Sequence, residues 1–294
     1  MKKALRVLLL VFCVAALLAP QASALVPYTT YTYDIDGKYV ESPHAYVPDR
    51  TITSVDLGLE KEYFGIAFRQ GSDMTRKVED ITLGLIEDGT LAELSAKYEV
   101  GAVGKGEYTP KADPCEGSGD WAYIQQKGVL VVGITDYKPM DYRDENGEWI
   151  GFDADYARAV AAKLGVSVEF KEINWDYKTM ALEAKEIDCI WNGMTITPAI
   201  EEAADCTAPY MYNTQVAVIK KADADNYKVL ADFAGKTLAA EAGSAGEAVI
   251  KNNADLAGGL KSVTGQTNAL MEVLAGASDA AIVDLTLAKA LIGE

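Results

Sequence analysis

The segment from Lys185 to Lys221 places the strongest constraint on what this chain can fold into. Its apolar run, Cys189–Trp191, is short enough for a buried strand, and Asn192-Gly193 predicts a turn directly after it. Thr197 followed by Pro198 then predicts a helix that begins with a hydroxyl cap and a proline in its first turn. Because a strand that ends beside a helix N-terminus exposes N–H groups, the segment predicts a small-molecule site.

Strand-like and helix-like patterns alternate through most of the remaining chain. This alternation predicts an α/β fold with mainly parallel sheets and with ligands at the carboxyl ends of the strands. Strands are expected at 63–68, 129–134, 166–170, 189–191, 215–219, 237–240 and 280–283. Helices are expected from the 71–73 cap to 86, at 91–98, 156–164 and 177–184, after Pro198, from the 243–246 turn to 251, and at 267–274 and 285–291.

Asp153 and Asp155 precede the helix expected at 156–164 and have the spacing of a carboxylate pair. Such a pair can serve acid–base catalysis, but acidic residues at a helix start also cap the helix and interact favourably with its dipole. The helix context favours the structural role.

The first 24 residues have the pattern of a secretory signal. Lys2, Lys3 and Arg6 precede the apolar run Val7–Leu18, and the small residues 22–24 follow it. The apolar run is too short for a transmembrane anchor. We therefore expect a freely secreted protein, located in the periplasm or at the extracytoplasmic cell surface.

The charge of the chain argues against nucleic acid as a partner. The formal net charge is −17, and it becomes −20, with 24 basic and 44 acidic residues, once the signal is removed. A surface this acidic repels phosphate backbones. The sequence contains no CxxC, HExxH or clustered His/Cys pattern, so we expect neither a metal site nor a cofactor. Cys189 and Cys206 are either two buried thiols or a disulfide, which an exported protein can form.

Several ordered blocks resemble the solute-binding proteins of ABC importers, in family 3, the group that binds polar amino acids. The blocks are 128–166 (GVLVVGITDYKPMDYRDENGEWIGFDADYARAVAAKLGV), 173–198 (INWDYKTMALEAKEIDCIWNGMTITP), 230–250 (LADFAGKTLAAEAGSAGEAVI) and 277–292 (ASDAAIVDLTLAKALI). The resemblance implies a two-lobe α/β fold of the type II periplasmic-binding-protein class. Its mainly parallel sheets have flanking helices, a two-strand hinge joins the lobes, and the lobes close on the ligand.

The order of the segments departs from that family. Residues 51–98 resemble the family's closing segment, which normally follows the second lobe, whereas this chain ends where that segment is expected to begin. The order is therefore circularly permuted, or two truncated copies are fused; in a third arrangement the segment completes a neighbour in a domain-swapped dimer. The expected domains are a signal peptide (1–24), an extended leader (25–50), the permuted segment with a hinge strand and lobe-one helices (51–100), a linker (101–120), lobe one (121–217) and lobe two (218–294).

The resemblance also assigns roles to individual residues. Asp284 matches the position that takes a ligand ammonium, and 243–246 match a helix start that receives a carboxylate. Gly193 and Thr195 match lobe-one contacts made through backbone and hydroxyl, while Tyr137 and Trp175 match the aromatic wall. Trp191 is expected in the core or at the pocket edge. The complete set of candidate ligand-binding residues is Asp136, Tyr137, Trp175, Asn192, Gly193, Met194, Thr195, Gly243, Ser244, Ala245, Gly246 and Asp284.

Ile200 marks a departure from the family's site. The family usually reads T-P-E-R after the threonine strand, and its arginine grips the ligand carboxylate through two hydrogen bonds. This chain has Thr197-Pro198-Ala199-Ile200, so the charge is missing. Either the helix-start amides suffice, or the ligand lacks a carboxylate, or binding has been lost.

The function that the resemblance implies is that of a receptor, not an enzyme. It would capture a small polar solute, an amino acid or related amine, and present it to a membrane permease, working as a monomer or as a swapped dimer. The alternatives are a sensing or non-transport module of the same fold and, on the same scaffold, a dehydratase-like enzyme that uses a pocket carboxyl. A ligand panel separates the receptor from a module that binds no ligand. Turnover of a prephenate-like acid would identify the enzyme.

Overall fold

A computed structural model describes residues 31–33, 39–41, 51–111 and 119–292. The expected signal peptide at 1–24 lies outside the described residues, as do most of the leader and part of the linker with Cys115. In the part of the chain that is described, no helix combines the length and the apolar character needed to cross a membrane.

The secondary structure alternates between strands and helices, as the sequence pattern predicts. The strands are β1 Tyr31–Tyr33, β2 Tyr39–Glu41, β3 Ile52–Asp56, β4 Glu62–Phe64, β5 Ala67–Arg69, β6 Val129–Ile134, β7 Tyr142–Arg143, β8 Trp149–Ile150, β9 Ser167–Glu172, β10 Cys189–Ile190, β11 Ala204–Cys206, β12 Met211–Asn213, β13 Gln215–Lys220, β14 Leu238–Glu241, β15 Leu260–Val263 and β16 Ala280–Asp284. The helices are α1 Asp73–Glu87, α2 Thr90–Tyr98, α3 Asp120–Lys127, α4 Phe152–Leu164, α5 Lys178–Glu183, α6 Pro198–Ala203, α7 Ala245–Lys251, α8 Ala254–Ala257, α9 Gln266–Leu274 and α10 Leu285–Ile292. Short 3-10 turns occur at Trp175–Tyr177, Lys221–Asp223 and Leu230–Phe233.

Local sequence signals fix several of these boundaries. Ser72 caps α1 by accepting a hydrogen bond from the Met74 N–H, and Thr197 caps α6 with Pro198 in the first turn. The strand expected at 63–68 is two strands, because the chain breaks at Gly65, whose N–H donates to the Met194 carbonyl 3.0 Å away. The break lets the chain turn from β4 into the sheet that contains β5.

Two five-stranded sheets form the cores of two lobes. Lobe one has the strand order β11-β5-β10-β6-β9, and lobe two has the order β15-β14-β16-β13-β3. In each sheet four strands run in one direction and one strand is reversed: β5 in lobe one and β13 in lobe two. The sheets are therefore mainly parallel in strand direction. The reversed strands are those that enter a lobe after the chain crosses from the other lobe.

The hinge consists of two antiparallel strands. β4 pairs with β12, with Phe64 opposite Met211 and Glu62 opposite Asn213. One strand carries the chain from β3 to β5 and the other carries it from β11 to β13, so both crossings between the lobes run side by side. This arrangement is the two-strand hinge expected of the fold.

The segment from β3 to α2 contributes to both lobes. β3 forms an edge of the lobe-two sheet beside β13, whereas β5 lies between β10 and β11 in lobe one. Helices α1 and α2 contact each other and α4 of lobe one. Ile52 of β3 also shares a buried core with Leu291 and Ile292 at the end of α10.

Cys189 and Cys206 are free, buried thiols. They lie on β10 and β11, which flank β5, where they oppose Phe68 and Ala67 respectively. A strand separates the two sulfurs, so the thiol alternative of the sequence analysis is the one that holds. Burial raises the pKa of Cys206 to about 12, which leaves the thiol unreactive at neutral pH.

If β5 is an integral strand of lobe one, then Phe68→Ala should destabilise the protein by roughly 3–5 kcal/mol, the usual cost of deleting a buried phenylalanine. Phe68 is 1% exposed, whereas Tyr177 of the same lobe is 56% exposed. Tyr177→Ala is thus the control, and we expect it to change the free energy of unfolding by about 0.5 kcal/mol or less. Urea unfolding followed by circular dichroism measures both; equal effects of the two substitutions would contradict the placement of β5.

Candidate functional site

A cavity of about 630 Å³ lies between the two lobes. Lobe one contributes Tyr137, Trp175, the turn after β10 and the start of α6. Lobe two contributes Glu241, the loop before α7, Gln266 and Asp284. The volume is in the range of small-molecule sites, and the position at the carboxyl ends of β10, β14 and β16 is the one expected for ligands of such sheets.

The structure brings ten of the twelve candidate residues to this cavity. They are Tyr137, Trp175, Asn192, Gly193, Met194, Thr195, Gly243, Ser244, Ala245 and Asp284.

Asp136 and Gly246 lie away from the cavity. Asp136 is exposed on the surface beside Tyr137, which takes the inward position. Gly246 faces the lobe-two sheet, where a Cβ would lie 2.4 Å from the Ile282 carbonyl oxygen. Because neighbouring residues on a loop or a helix start point in different directions, a contiguous motif does not deliver every member to one site.

Asp284 is buried at the end of β16, and amide side chains surround its carboxylate. Its Oδ1 accepts hydrogen bonds from Asn213 Nδ2 and Gln215 Nε2, each at 2.6 Å, and its Oδ2 accepts one from Gln266 Nε2 at 2.5 Å. Burial raises the pKa of Asp284 above its usual value, although the amide donors lower it. The start of α10 is capped by a different residue, since the Thr286 N–H donates to Asn213 Oδ1.

Asn213 and Gln215 also connect Asp284 to the hinge. Both amide nitrogens donate to Glu62 Oε2 on β4, at 3.3 and 2.8 Å. The Thr195 hydroxyl reaches the same oxygen at 3.3 Å. Burial, and then the charge of Asp284, raise the pKa of Glu62. A single polar network thus joins the cavity floor of lobe two to the hinge and to lobe one.

The glycine turn of lobe one is anchored inward. Gly193 has φ +54°, and a Cβ there would lie 2.6 Å from a ring carbon of Tyr137, so the turn requires glycine. The Gly193 N–H donates to Asp153 Oδ2 at 2.6 Å and is not directed at the cavity. The backbone contact expected from the Gly193 amide is therefore unavailable to a ligand in this conformation.

Asp153 and Asp155 have structural roles, but they do not cap α4, contrary to expectation. The N-cap of α4 is Gly151, which makes no side-chain cap. Asp153 accepts from Gly193 and from the Tyr210 hydroxyl at 2.8 Å, and burial raises its pKa to about 7. Asp155 instead pairs with Lys97 at 2.7 Å. Helix position alone cannot reveal these partners, because they lie on distant parts of the chain.

The loop before α7 has fewer free N–H groups than the sequence suggests. Ser244 caps α7 by accepting from the Glu247 N–H, and the Gly243 N–H donates back to Glu247 Oε2 at 2.9 Å. The Ser244 N–H donates to the Glu241 carbonyl. Two of the amides expected to receive an anion are therefore used within the loop.

The lobes touch at one side of the cavity. Lys178 Nζ of lobe one donates to the Gly243 carbonyl of lobe two at 2.8 Å and to the Trp175 carbonyl at 3.1 Å. A Cβ at Gly243 would lie 2.8 Å from the Asp176 Cα, so the two backbones approach closely here. Burial lowers the pKa of Lys178 to about 8. Sequence analysis missed this lysine, because a lysine in a short helix carries no signal of an interlobe contact.

Glu241 is a further cavity residue that the sequence analysis did not select. It is 3% exposed at the end of β14, and its Oε1 makes no hydrogen bond within the described residues. Burial and the charge of Asp284 raise its pKa to about 8. Like Asp284, Glu241 is an acidic residue that ends an apolar strand, Leu238–Glu241.

Residues 130–290, more than half of the chain, match the model of a known family, the bacterial extracellular solute-binding proteins, family 3. The chain belongs to this family. Trp191, which lies in the core against Tyr156 at 4.7 Å between ring centroids, and Ile200, which lines the cavity, are features of this particular solute-binding protein.

Curated relatives and solved structures agree with this assignment. The L-cystine-binding protein TcyA of Bacillus subtilis is 35% identical over 140 residues, which are 47% of this chain and 52% of the relative. Holo ArgBP from T. maritima is 31% identical with a TM-score of 0.56, covering 58% of this chain and 76% of that one. A substrate-binding protein of an ABC uptake transporter from Streptococcus pneumoniae with bound histidine is 30% identical with a TM-score of 0.55, covering 58% and 72%. The chain spans about half the length of the curated relatives it matches.

Glu241 should make the stability of this solute-binding protein depend on pH. Its folded-state pKa of about 8 exceeds the value of 4.5 that applies when it is unfolded. Between pH 4.5 and 8 the folded state therefore binds a proton that the unfolded state has released. Stability should fall from pH 4.5 to 8 with a limiting slope of about 1.4 kcal/mol per pH unit, relative to Glu241→Gln.

Urea unfolding at pH 4.5, 6.5 and 8.5 measures this difference. We expect the free energy of unfolding of Glu241→Gln to rise relative to that of the wild type as the pH rises. Glu183→Gln changes an exposed position, so its free energy of unfolding should stay close to the wild-type value at all three pH values. A constant difference between Glu241→Gln and the wild type across the three pH values would show that Glu241 is not buried as described.

Proposed function

We propose that this protein is an extracytoplasmic receptor that captures a small polar solute, an amino acid or a related amine, and delivers it to the permease of an ABC importer. The observation that carries the proposal is the buried carboxylate of Asp284, which ends a strand at the floor of an interlobe cavity. A buried carboxylate whose donors in the described residues are uncharged leaves a negative potential in the cavity, which suits a ligand ammonium.

The relatives support the solute class. Proteins named for L-cystine binding, an arginine-binding protein and a protein with bound histidine are all similar to this chain. Each of these ligands carries the ammonium group for which Asp284 is placed. Membership of an extracellular binding family supports a receptor and not an enzyme, and it supports a location outside the cytoplasm.

The two-strand hinge supports capture by closure. Ligand contacts come from both lobes, and the Lys178–Gly243 hydrogen bond forms only when the lobes meet. A solute that binds both lobes favours the closed arrangement, since an equilibrium shifts toward the state in which the ligand makes more contacts. The network from Asp284 through Asn213 and Gln215 to Glu62 places the hinge in direct contact with the site.

We further propose that the segment order is a circular permutation and that one chain completes its own two lobes. The family match ends at residue 290, while β3 packs beside α10 and β5 lies inside the lobe-one sheet of the same chain. Ile52 and Ile292 share a core, so a short connection can join the end of α10 to β3.

A rearranged chain tests this permutation. Residues 119–292 followed by a short glycine-serine linker and residues 51–111 should fold as a monomer, with a melting temperature within about 5 °C of the parent. Circular dichroism and light scattering measure the two properties. A rearranged chain that is unfolded, or a parent that is a dimer, would contradict the permutation.

The receptor function predicts that a solute from the proposed class raises the melting temperature. A ligand at 100 times its Kd adds about 2.7 kcal/mol of stability, which a thermal-shift screen of amino acids, amines and sugars detects readily. Asp284→Asn should weaken binding of the active solute more than tenfold, because the ligand ammonium loses its counter-charge.

Asp136→Asn is the matched control, since Asp136 lies outside the cavity. It should leave the affinity unchanged by isothermal titration. No thermal shift with any amino acid or amine would overturn the proposed function, and a tenfold loss in Asp136→Asn with no loss in Asp284→Asn would overturn the placement of the site.

A further inference from the structure

Given the binding function proposed above, we infer that the cavity recognises a solute with two positively charged nitrogen groups, and that Glu241 receives the second of them. Asp284 is the expected partner of one ammonium group. Glu241 gives the cavity a second carboxylate for which neither the family resemblance nor the polar network of Asp284 accounts.

The two carboxylates lie at the same edge of the lobe-two sheet. β14 and β16 are adjacent parallel strands, with Ala239 opposite Ala281. Glu241 and Asp284 are their last residues, and neighbouring strands are about 4.8 Å apart. Both side chains line the cavity, so two carboxyl groups face the same ligand from neighbouring strands.

Glu241 differs from Asp284 in what the protein provides for it. Both oxygens of Asp284 accept hydrogen bonds from amide side chains, whereas Glu241 Oε1 is buried without a hydrogen-bond partner in the described residues. Lys178 is the cation whose charge acts on Glu241, but its ammonium donates to two backbone carbonyls. Among the described residues, no cation lies within 4 Å of the Glu241 carboxylate to form an ion pair. A charged donor on the ligand would satisfy this oxygen, which the protein leaves unsatisfied.

The cavity offers little to an anionic group by comparison. Ile200 lines it where the family resemblance leads one to expect an arginine. The two lysines that line it are engaged, Lys178 with backbone carbonyls and Lys251 with Glu247 at 2.8 Å. Recognition in this chain therefore depends on the cations of the solute more than on a carboxylate. Diamines and basic amino acids share the required chemistry.

Matched pairs of probes test the inference by isothermal titration. Lysine and norleucine differ by the terminal ammonium, and putrescine and n-butylamine differ in the same way. We expect the wild type to bind lysine or putrescine at least tenfold more tightly than its singly charged partner. If only lysine binds tightly, the natural ligand is a basic amino acid. If putrescine binds as well, the natural ligand is a diamine.

The Glu241→Gln substitution tests whether Glu241 is the residue that binds the second cationic group. The substitution should abolish the tenfold preference by weakening the binding of lysine or putrescine, whereas Glu183→Gln should preserve the preference. Circular dichroism confirms that each variant is folded. Norleucine that binds as tightly as lysine, or a preference that survives in Glu241→Gln, would overturn the inference while leaving the receptor function intact. Failure of all amines and amino acids to bind would remove the receptor function itself.

Discussion

The structure depends on a group of carboxylates that are buried together without a cation to neutralise them. Glu62 on the hinge, Glu241 on β14 and Asp284 on β16 are each at least partly buried, and among the described residues none of them forms an ion pair within 4 Å. Side-chain amides of Asn213, Gln215 and Gln266 hold Asp284, and two of those amides continue to Glu62. Neutral donors orient the charges but do not cancel them. Asp284 and Glu241 line the cavity, so their potential acts on whatever enters it.

The reversed strands explain how this group is assembled. β13 brings Gln215 next to Asp284, because its first residue pairs with the last residue of β16. β4 brings Glu62 opposite Asn213, because the hinge strands are antiparallel. Both contacts follow from the chain crossing between the lobes twice, side by side. The segment 52–98, which supplies β4 and β5, is for this reason connected to the site as well as part of the fold.

Local signals in the sequence predict the elements of this structure but not the partners of its polar groups. Thr197-Pro198 predicts the start of α6, and the apolar run 280–283 predicts the strand that Asp284 ends, because both depend on neighbouring residues alone. The Gly193 amide was expected to face a ligand, yet it donates to Asp153, forty residues away along the chain. Such a partner depends on how α4 packs against the turn after β10, and no pattern of spacing encodes it. Ser244 shows the same limit. It caps α7 by accepting from the Glu247 N–H, and the Glu247 carboxylate in turn accepts from the Gly243 N–H that was expected to bind an anion.

Asp141 of lobe one shows why burial alone does not make a carboxylate a ligand contact. Both of its oxygens lack hydrogen-bond partners in the described residues, and burial, followed by the charge of Asp153, raises its pKa well above the usual value. Asp141 does not line the cavity, so a solute bound there does not contact it. One oxygen of Glu241 is likewise buried without a hydrogen-bond partner in the described residues, and its pKa of about 8 favours the protonated form at neutral pH. Because Glu241 lines the cavity, that proton can be exchanged for a charged group of the solute, which supplies the hydrogen bonds that the protein does not. Access to the cavity, more than the degree of burial, separates a neutral core acid from a carboxylate that can bind a cation.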